Sequence, residues 1–146
     1  MSRGSEKKGR IFIQINSLTF KPCSMFLQLA HTKLNVYHFS RELALECYRI
    51  TKKFPPDERF ALMQQIRRAA ISVRLNTAEG CSRKSQNERN RYFEIARGSV
   101  IEIDSAIGIA FKLEYVILEE LQPLGDSIMK TFKLLSGMIK SDNTHN

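Results

Sequence analysis

Tryptophan is absent from this chain, and glycine and proline number only 7 and 4 in 146 residues. Few turns are therefore available, which favours a few long helices over many short strands. The three cysteines, Cys23, Cys47 and Cys81, are an odd number at unrelated spacings. They fit neither a disulfide framework nor a zinc-ligand pattern, so a reducing cytoplasm is the expected setting. There is also no apolar run of about 18 residues, the length that a membrane-spanning helix needs. The histidines His31, His38 and His145 stand far from one another in sequence, and no carboxylate takes part in the Glu-x-x-His pattern of di-iron bundles. Neither a metal nor a cofactor is expected.

What remains is a chain that is 42% apolar and long enough for one domain with a real core. Its net charge is +8, with a pI near 9.6, which points to a polyanionic partner. The charge is unevenly spread. Residues 1–33 hold six Lys/Arg against one acid, residues 34–66 five against four, residues 67–97 eight against three, and residues 98–146 four against seven. Apart from its first 33 residues, the protein is strongly polarised, and its basic part lies in 67–97.

The beginning of the chain reads differently from the rest. "KKGRIFIQI" has the charges-then-apolar order of a signal peptide, but Gln14, Asn16, Lys21 and Pro22 interrupt the apolar core. Residues 1–33 have no helical period and are expected to form a poorly ordered extension. Met25 is a plausible alternative start.

Four periodic stretches follow. In "VYHFSRELALECYRITKKF", Phe39, Leu43, Cys47, Ile50 and Phe54 line one helical face, and Pro55-Pro56 ends it. A second helix is predicted to open at "PDERF" with Asp57 as its N-cap. It carries a seam of Leu62, Ile66, Ala69, Val73 and Asn76, and Gly80 is expected just past its end. The third opens at "SQNE", where Ser85 and Glu88 make a capping-box pattern, and repeats Tyr92, Ala96, Ser99, Ile103, Ala106, Ala110 and Leu113. The fourth spans about Leu118 to Ile139, with Leu121, Ile128, Leu135 and Met138 as its stripe and Pro123 expected in its first turn. Short connections make neighbours antiparallel. The prediction is an all-α, up-down-up-down four-helix bundle over 34–140 with a polar tail at 141–146.

The stretches "FPPDERFALMQQIRRAAISV", "NTAEGCSRKSQNE" and "RYFEIARGSVIEIDSAI" resemble the four-helix-bundle proteins encoded within intervening sequences of bacterial 23S rRNA genes. The likeness runs from about Leu34 to Lys140. It also extends to the accessory proteins of diversity-generating retroelements, which bind nucleic acid and a reverse transcriptase. The resemblance implies a homo-oligomer, commonly a pentameric ring, and no enzymatic activity. One departure stands out: Arg74-Leu75 occupies the place of a Pro-Ser pair usual in that family, which puts an apolar Leu75 where nothing calls for it.

Eight bases are candidates for nucleic-acid contact: Arg67, Arg68, Arg74, Arg83, Lys84, Arg89, Arg91 and Arg97. An antiparallel hairpin gathers Arg74, Arg83, Lys84, Arg89 and Arg91 at one end of the bundle. Six phosphate contacts give a log–log salt slope of about −4 on a single strand. The competing reading is a solvated face on which Glu79, Glu88 and Glu94 pair with some of these bases, Glu88 with Arg91 and Glu94 with Arg97 being helical neighbours. Arg67 and Arg68 are equally suited to ion pairs with Glu58, Glu79 or Glu102. Asn76, on the seam, needs a hydrogen-bond partner and is a candidate to set register or assembly, with Glu79 one turn on. Together these two lack the nucleophile and base that catalysis requires. "GCSRKS" lacks phosphate-loop spacing and follows a helix, although phosphate binding at the third helix's N-terminus, beside Arg83 and Lys84, remains compatible with it. Cys81 is expected to be exposed, with its pKa lowered by basic neighbours.

Overall fold

A computed structural model describes residues 26–27, 29–30 and 34–140. The extension expected over 1–33 falls mostly outside these residues, and the tail 141–146 wholly so. Four α-helices are present: α1 (Asn35–Thr51), α2 (Leu62–Ser82), α3 (Gln86–Lys112) and α4 (Leu118–Lys140), with a single 3-10 turn at Pro56–Glu58. There is no strand among the described residues.

Helices adjacent in sequence pack together and α1 closes against α4, while among the described residues the backbones of the diagonal pairs α1–α3 and α2–α4 stay apart. The directions follow from the ties between elements. Lys53, just past the end of α1, pairs with Glu120 at the start of α4. Arg74, late in α2, reaches back to Tyr37 near the start of α1. The chain thus runs up-down-up-down. One end gathers the α1–α2 and α3–α4 connections, and the other gathers the α2–α3 connection with the start of α1.

The core is where the periodicities place it. Leu43, Cys47 and Ile50 from α1, Ile66, Ala69 and Val73 from α2, Ala96, Ile103 and Ala110 from α3, and Ile128 and Leu135 from α4 are all buried, and Leu124, which is not on the expected stripe of α4, is buried with them. Helix α3 buries more than its predicted seam. Phe93, Val100 and Ile107 form a second stripe beside it, while Leu113 is exposed. On α2 the seam does not end on Asn76. Thr77 takes the fully buried place and returns its hydroxyl to the Val73 carbonyl at 2.7 Å.

Several boundaries differ from expectation. Asp57 does not cap α2, because Pro56–Glu58 is a separate turn. The Glu58 carboxylate does that work instead, accepting from the Leu62 N–H at 3.0 Å while its other oxygen takes the Tyr115 hydroxyl at 2.9 Å. One carboxylate therefore serves a helix start and links two connections. Pro123 lies inside α4 rather than in its first turn, so the Glu119 carbonyl has no N–H from it to accept. Helix α3 stops in a Schellman arrangement: Tyr115 N–H donates to Ala110 O and Glu114 N–H to Phe111 O, with Glu114 at a φ of 60° where glycine is usual. Below it, the Glu120 carboxyl titrates under the ordinary carboxylate range, chiefly because Lys53 bonds to it and also because it accepts from the Ile117 N–H.

Candidate nucleic-acid interface

The turn between α2 and α3 is shorter than the sequence implies. Helix α2 runs on to Ser82, so Gly80 lies inside it rather than past its end. The glycine is required by packing. A Cβ at Gly80 would stand 2.6 Å from Cε1 and 2.8 Å from Cδ1 of Phe93. The ring of α3 thus sits directly on the α2 backbone, which draws the two helices together at their connected end. Only Arg83, Lys84 and Ser85 join them. Ser85 occupies the N-cap position, but its side chain makes no capping bond, so the capping box with Glu88 is not formed.

The five bases expected to converge here separate into distinct environments. Arg74 is not at the end. It lies eight residues before Ser82, about 12 Å down the axis, and turns toward α1. There its guanidinium stacks on the Tyr37 ring at 3.4 Å and donates to the Tyr37 carbonyl and to Ser40 Oγ. Arg74 is a strut between α1 and α2. Arg83 pairs with Glu79 four residues earlier and lies over the Tyr92 ring at 5.2 Å. Its hydrogen bond to the Glu79 carboxylate is the main reason its pKa is raised. Lys84 and Arg91 are exposed, and Arg89 and Arg97 are half-buried. None of these four has a carboxylate within ion-pair distance among the described residues, since the expected Glu88–Arg91 and Glu94–Arg97 pairs do not form. The Nε groups of Arg83 and Arg89 are buried and donate to nothing in the described bundle.

Arg67 and Arg68 do not enter this end, nor do they pair with Glu58, Glu79 or Glu102 among the described residues. Arg67 donates to Thr51 Oγ1 at 2.8 Å and lies over Tyr48 at 4.8 Å. Arg68 is exposed and borders two surface hollows, one shared with Tyr48, Phe60 and Leu75 and the other with Glu102. Asn76 meets its hydrogen-bonding need within its own helix, donating to the carbonyl and the Oγ of Ser72 at 2.9 and 3.1 Å. Between α2 and α3 it is Ser72 and Ser99 that bond, at 2.9 Å.

Helix polarity sharpens the contrast between the two ends. The end carrying the α2 and α4 N-termini is dressed with acids: Asp57 and Glu58 on the turn before α2, and Glu119 and Glu120 in the first turn of α4. At the other end, α1 has no acid in its first turn and α3 has only Glu88. The positive helix termini are therefore offset at one end and reinforced by Lys84, Arg89 and Arg91 at the other. Among the described residues, no three His, Cys, Asp or Glu side chains gather as a metal set.

Cys81 is half-buried in α2 rather than exposed in a loop. Its pKa is raised, not lowered, because burial outweighs the nearby Arg89 charge. Cys47 is fully buried, and burial, followed by the Glu46 charge, pushes it up to about 12. In folded protein at about pH 8, on the order of one part in ten thousand of Cys47 is thiolate. Iodoacetamide labelling read by peptide mass spectrometry is expected to spare Cys47, to modify Cys81 slowly, and to modify both equally in urea. Rapid native labelling of Cys47 would contradict the buried α1 face.

The family described as 23S rRNA-intervening sequence protein matches the chain over residues 32–137. The chain belongs to that family. A crystal structure of a protein of unknown function from the S23 ribosomal protein family of Bacteroides thetaiotaomicron is similar in fold, with a TM-score of 0.67 and 23% sequence identity. The likeness covers 72% of this chain and 98% of that one, and at this identity it speaks to the fold alone. No curated protein matches the chain. The matched span takes in all four helices up to Gly137, so the basic turn lies within the family domain. Among the described residues, no helix is long and apolar enough to cross a membrane.

Proposed function

We propose that this chain is a non-enzymatic, cytoplasmic RNA-binding bundle that self-associates, and that it holds RNA electrostatically at the α2–α3 end. The observation that carries this reading is the set Lys84, Arg89, Arg91 and Arg97, which has no carboxylate partner among the described residues. Lys84, Arg89 and Arg91 cluster around a helix start whose own side-chain cap is missing, and Arg97 lies about 16 Å further along α3. Phosphate oxygens match both the cations and the positive end of the helix. The family's association with 23S rRNA intervening sequences makes RNA the polyanion of choice. The ring beside the cluster is Tyr92, which already carries Arg83. Recognition through phosphates, rather than through stacked bases, is the corresponding mode.

With Arg74 committed to α1 and Arg83 to Glu79, four contacts remain rather than six. The salt slope for single-stranded RNA is then about −3, a loss of roughly 50-fold in affinity between about 50 and 200 mM salt. Fluorescence anisotropy with a labelled RNA from the intervening sequence measures it. An affinity that does not change with salt would rule out this mode of binding.

A further inference from the structure

Below the basic end, α2 and α3 border a polar hollow of about 520 Å³. Gln65 and Arg68 line it from α2, and Ile95 and Glu102 from α3. Ser72 and Ser99 meet at its floor, 2.9 Å apart. Arg68 and Glu102 share the hollow without coming within ion-pair distance of each other, and neither has another ionic partner among the described residues. A group complementary to both, placed between them, gains charge-assisted hydrogen bonds that the two side chains do not make with one another.

The serines add a further condition. Two hydroxyls carry two hydrogens, and the bond between them uses one. Asn76 donates to Ser72 Oγ at 3.1 Å and so takes up neither. One hydroxyl hydrogen at the floor therefore has no acceptor among the described residues. Ile95, 43% exposed, supplies an apolar wall. The hollow calls for a flat ligand that gives hydrogens to a carboxylate and takes them from a guanidinium and a hydroxyl.

Guanine is the RNA base that meets every condition. Its N1–H and N2–H groups stand side by side for a carboxylate, and its O6 and N7 stand side by side for a guanidinium. Its N3 is left for a hydroxyl. Adenine and cytosine present a carboxylate with one donor group, the amino group, and uracil with N3–H alone.

The helix places this hollow along the path from the phosphate-binding end. On α3, Arg91, Ile95, Gly98 and Glu102 follow at spacings of four, three and four, which is one helical face. Gly98, also on the border of the hollow, stands about 10 Å along the axis from Arg91. A strand whose phosphates meet Lys84 and Arg91 and that follows this face carries its next bases over the hollow.

We propose that the α2–α3 hollow reads one unpaired guanine of the bound strand. Glu102 accepts from N1–H and N2–H, and Arg68 donates to O6 and N7. The base is recognised by its edges against an aliphatic wall, with no aromatic stack. This inference rests on RNA binding at the α2–α3 end and adds a base preference to it.

The test titrates the full chain with a short labelled oligouridylate, and with the same strand carrying one central guanosine, at about 150 mM salt. The guanosine is expected to tighten binding about 10-fold, in the range of one good bidentate contact. Adenosine, cytidine, or inosine, which lacks the N2 amino group, is expected to do far less in its place. Glu102→Gln and Arg68→Gln are each expected to abolish the preference, with helicity by circular dichroism unchanged. The salt slope of Glu102→Gln on oligouridylate should match wild type, because no phosphate contact is removed. Salt-dependent binding without a guanosine preference, or a preference that survives both substitutions, overturns this site and leaves phosphate binding standing. A cytidine strand that binds as tightly as the guanosine strand overturns the choice of base. Binding of neither strand overturns the RNA reading and this inference with it.

Discussion

Gly80→Ala is expected to destabilise the bundle by up to about 2 kcal/mol in urea unfolding, although alanine is the better helix former. Overpacking a filled site costs about 1–3 kcal/mol, and the gain in helix propensity returns about 1 kcal/mol. The packing term should win because of what the new methyl meets. Phe93 is 1% exposed, and its ring edge lies within 3 Å of the added carbon. A surface side chain would swing aside, but this one is enclosed by the α2–α3 interface. Phe93→Leu in the same chain should recover part of the loss, because the smaller side chain makes room. Equal or greater stability of Gly80→Ala would show that the ring can move, and that the close approach is not what selects glycine.

Reversing the charge of Lys84, Arg89, Arg91 and Arg97 together should lower RNA affinity at least about 100-fold at roughly 50 mM salt and flatten the salt slope toward zero. The slope is the more telling of the two readouts, because it counts phosphates displaced from counterions rather than overall affinity. Lys112→Glu is the matched control. It reverses an exposed base in the last turn of α3, at the opposite end. The control should leave both affinity and slope nearly unchanged. A loss of log affinity in the control about a quarter of that in the quadruple variant, in proportion to the charge reversed, would mean that RNA responds to net charge alone, and the assignment to the α2–α3 end would be lost. Arg74 is left out of the reversed set because it ties α1 to α2, and its loss would confuse binding with folding.

The contrast between Arg74 and Arg91 shows how far a one-dimensional reading reaches. Both are bases near the same turn, and the sequence treats them alike. Which way each points depends on the helix phase relative to a neighbour. Arg74 falls on the side facing Tyr37, whereas Arg91 falls outward. The same applies on α3, where the heptad reading places Tyr92 on the seam and the structure buries Phe93 instead. A second stripe was available to find, since Phe93, Val100 and Ile107 recur at seven. A helix packed between two neighbours buries two stripes, and the resulting wide apolar face blurs a single heptad.

Glycine is the sharper case. From sequence, Gly80 near a polar turn reads as a helix terminator, the commonest use of glycine at that place. Its actual role depends on a ring from another helix, which no local pattern encodes. Asp57 and Glu58 differ in the same way: both are acids before α2, and the geometry of the intervening 3-10 turn selects Glu58 as the cap.

The sequence by itself determined four helices, their order, the antiparallel packing that short connections impose, most of the buried face of each, and the basic character of the 67–97 stretch. Those follow from periodicity, proline and glycine scarcity, and charge counts, all of which are local or additive. Only the tertiary structure decided which bases stay free, why Gly80 must be glycine, that Cys81 is shielded, and that Leu75 lines an outward groove. Each of these is a relation between side chains on different helices, and it is set by packing angles and close approach, which are absent from the order of residues along any one helix.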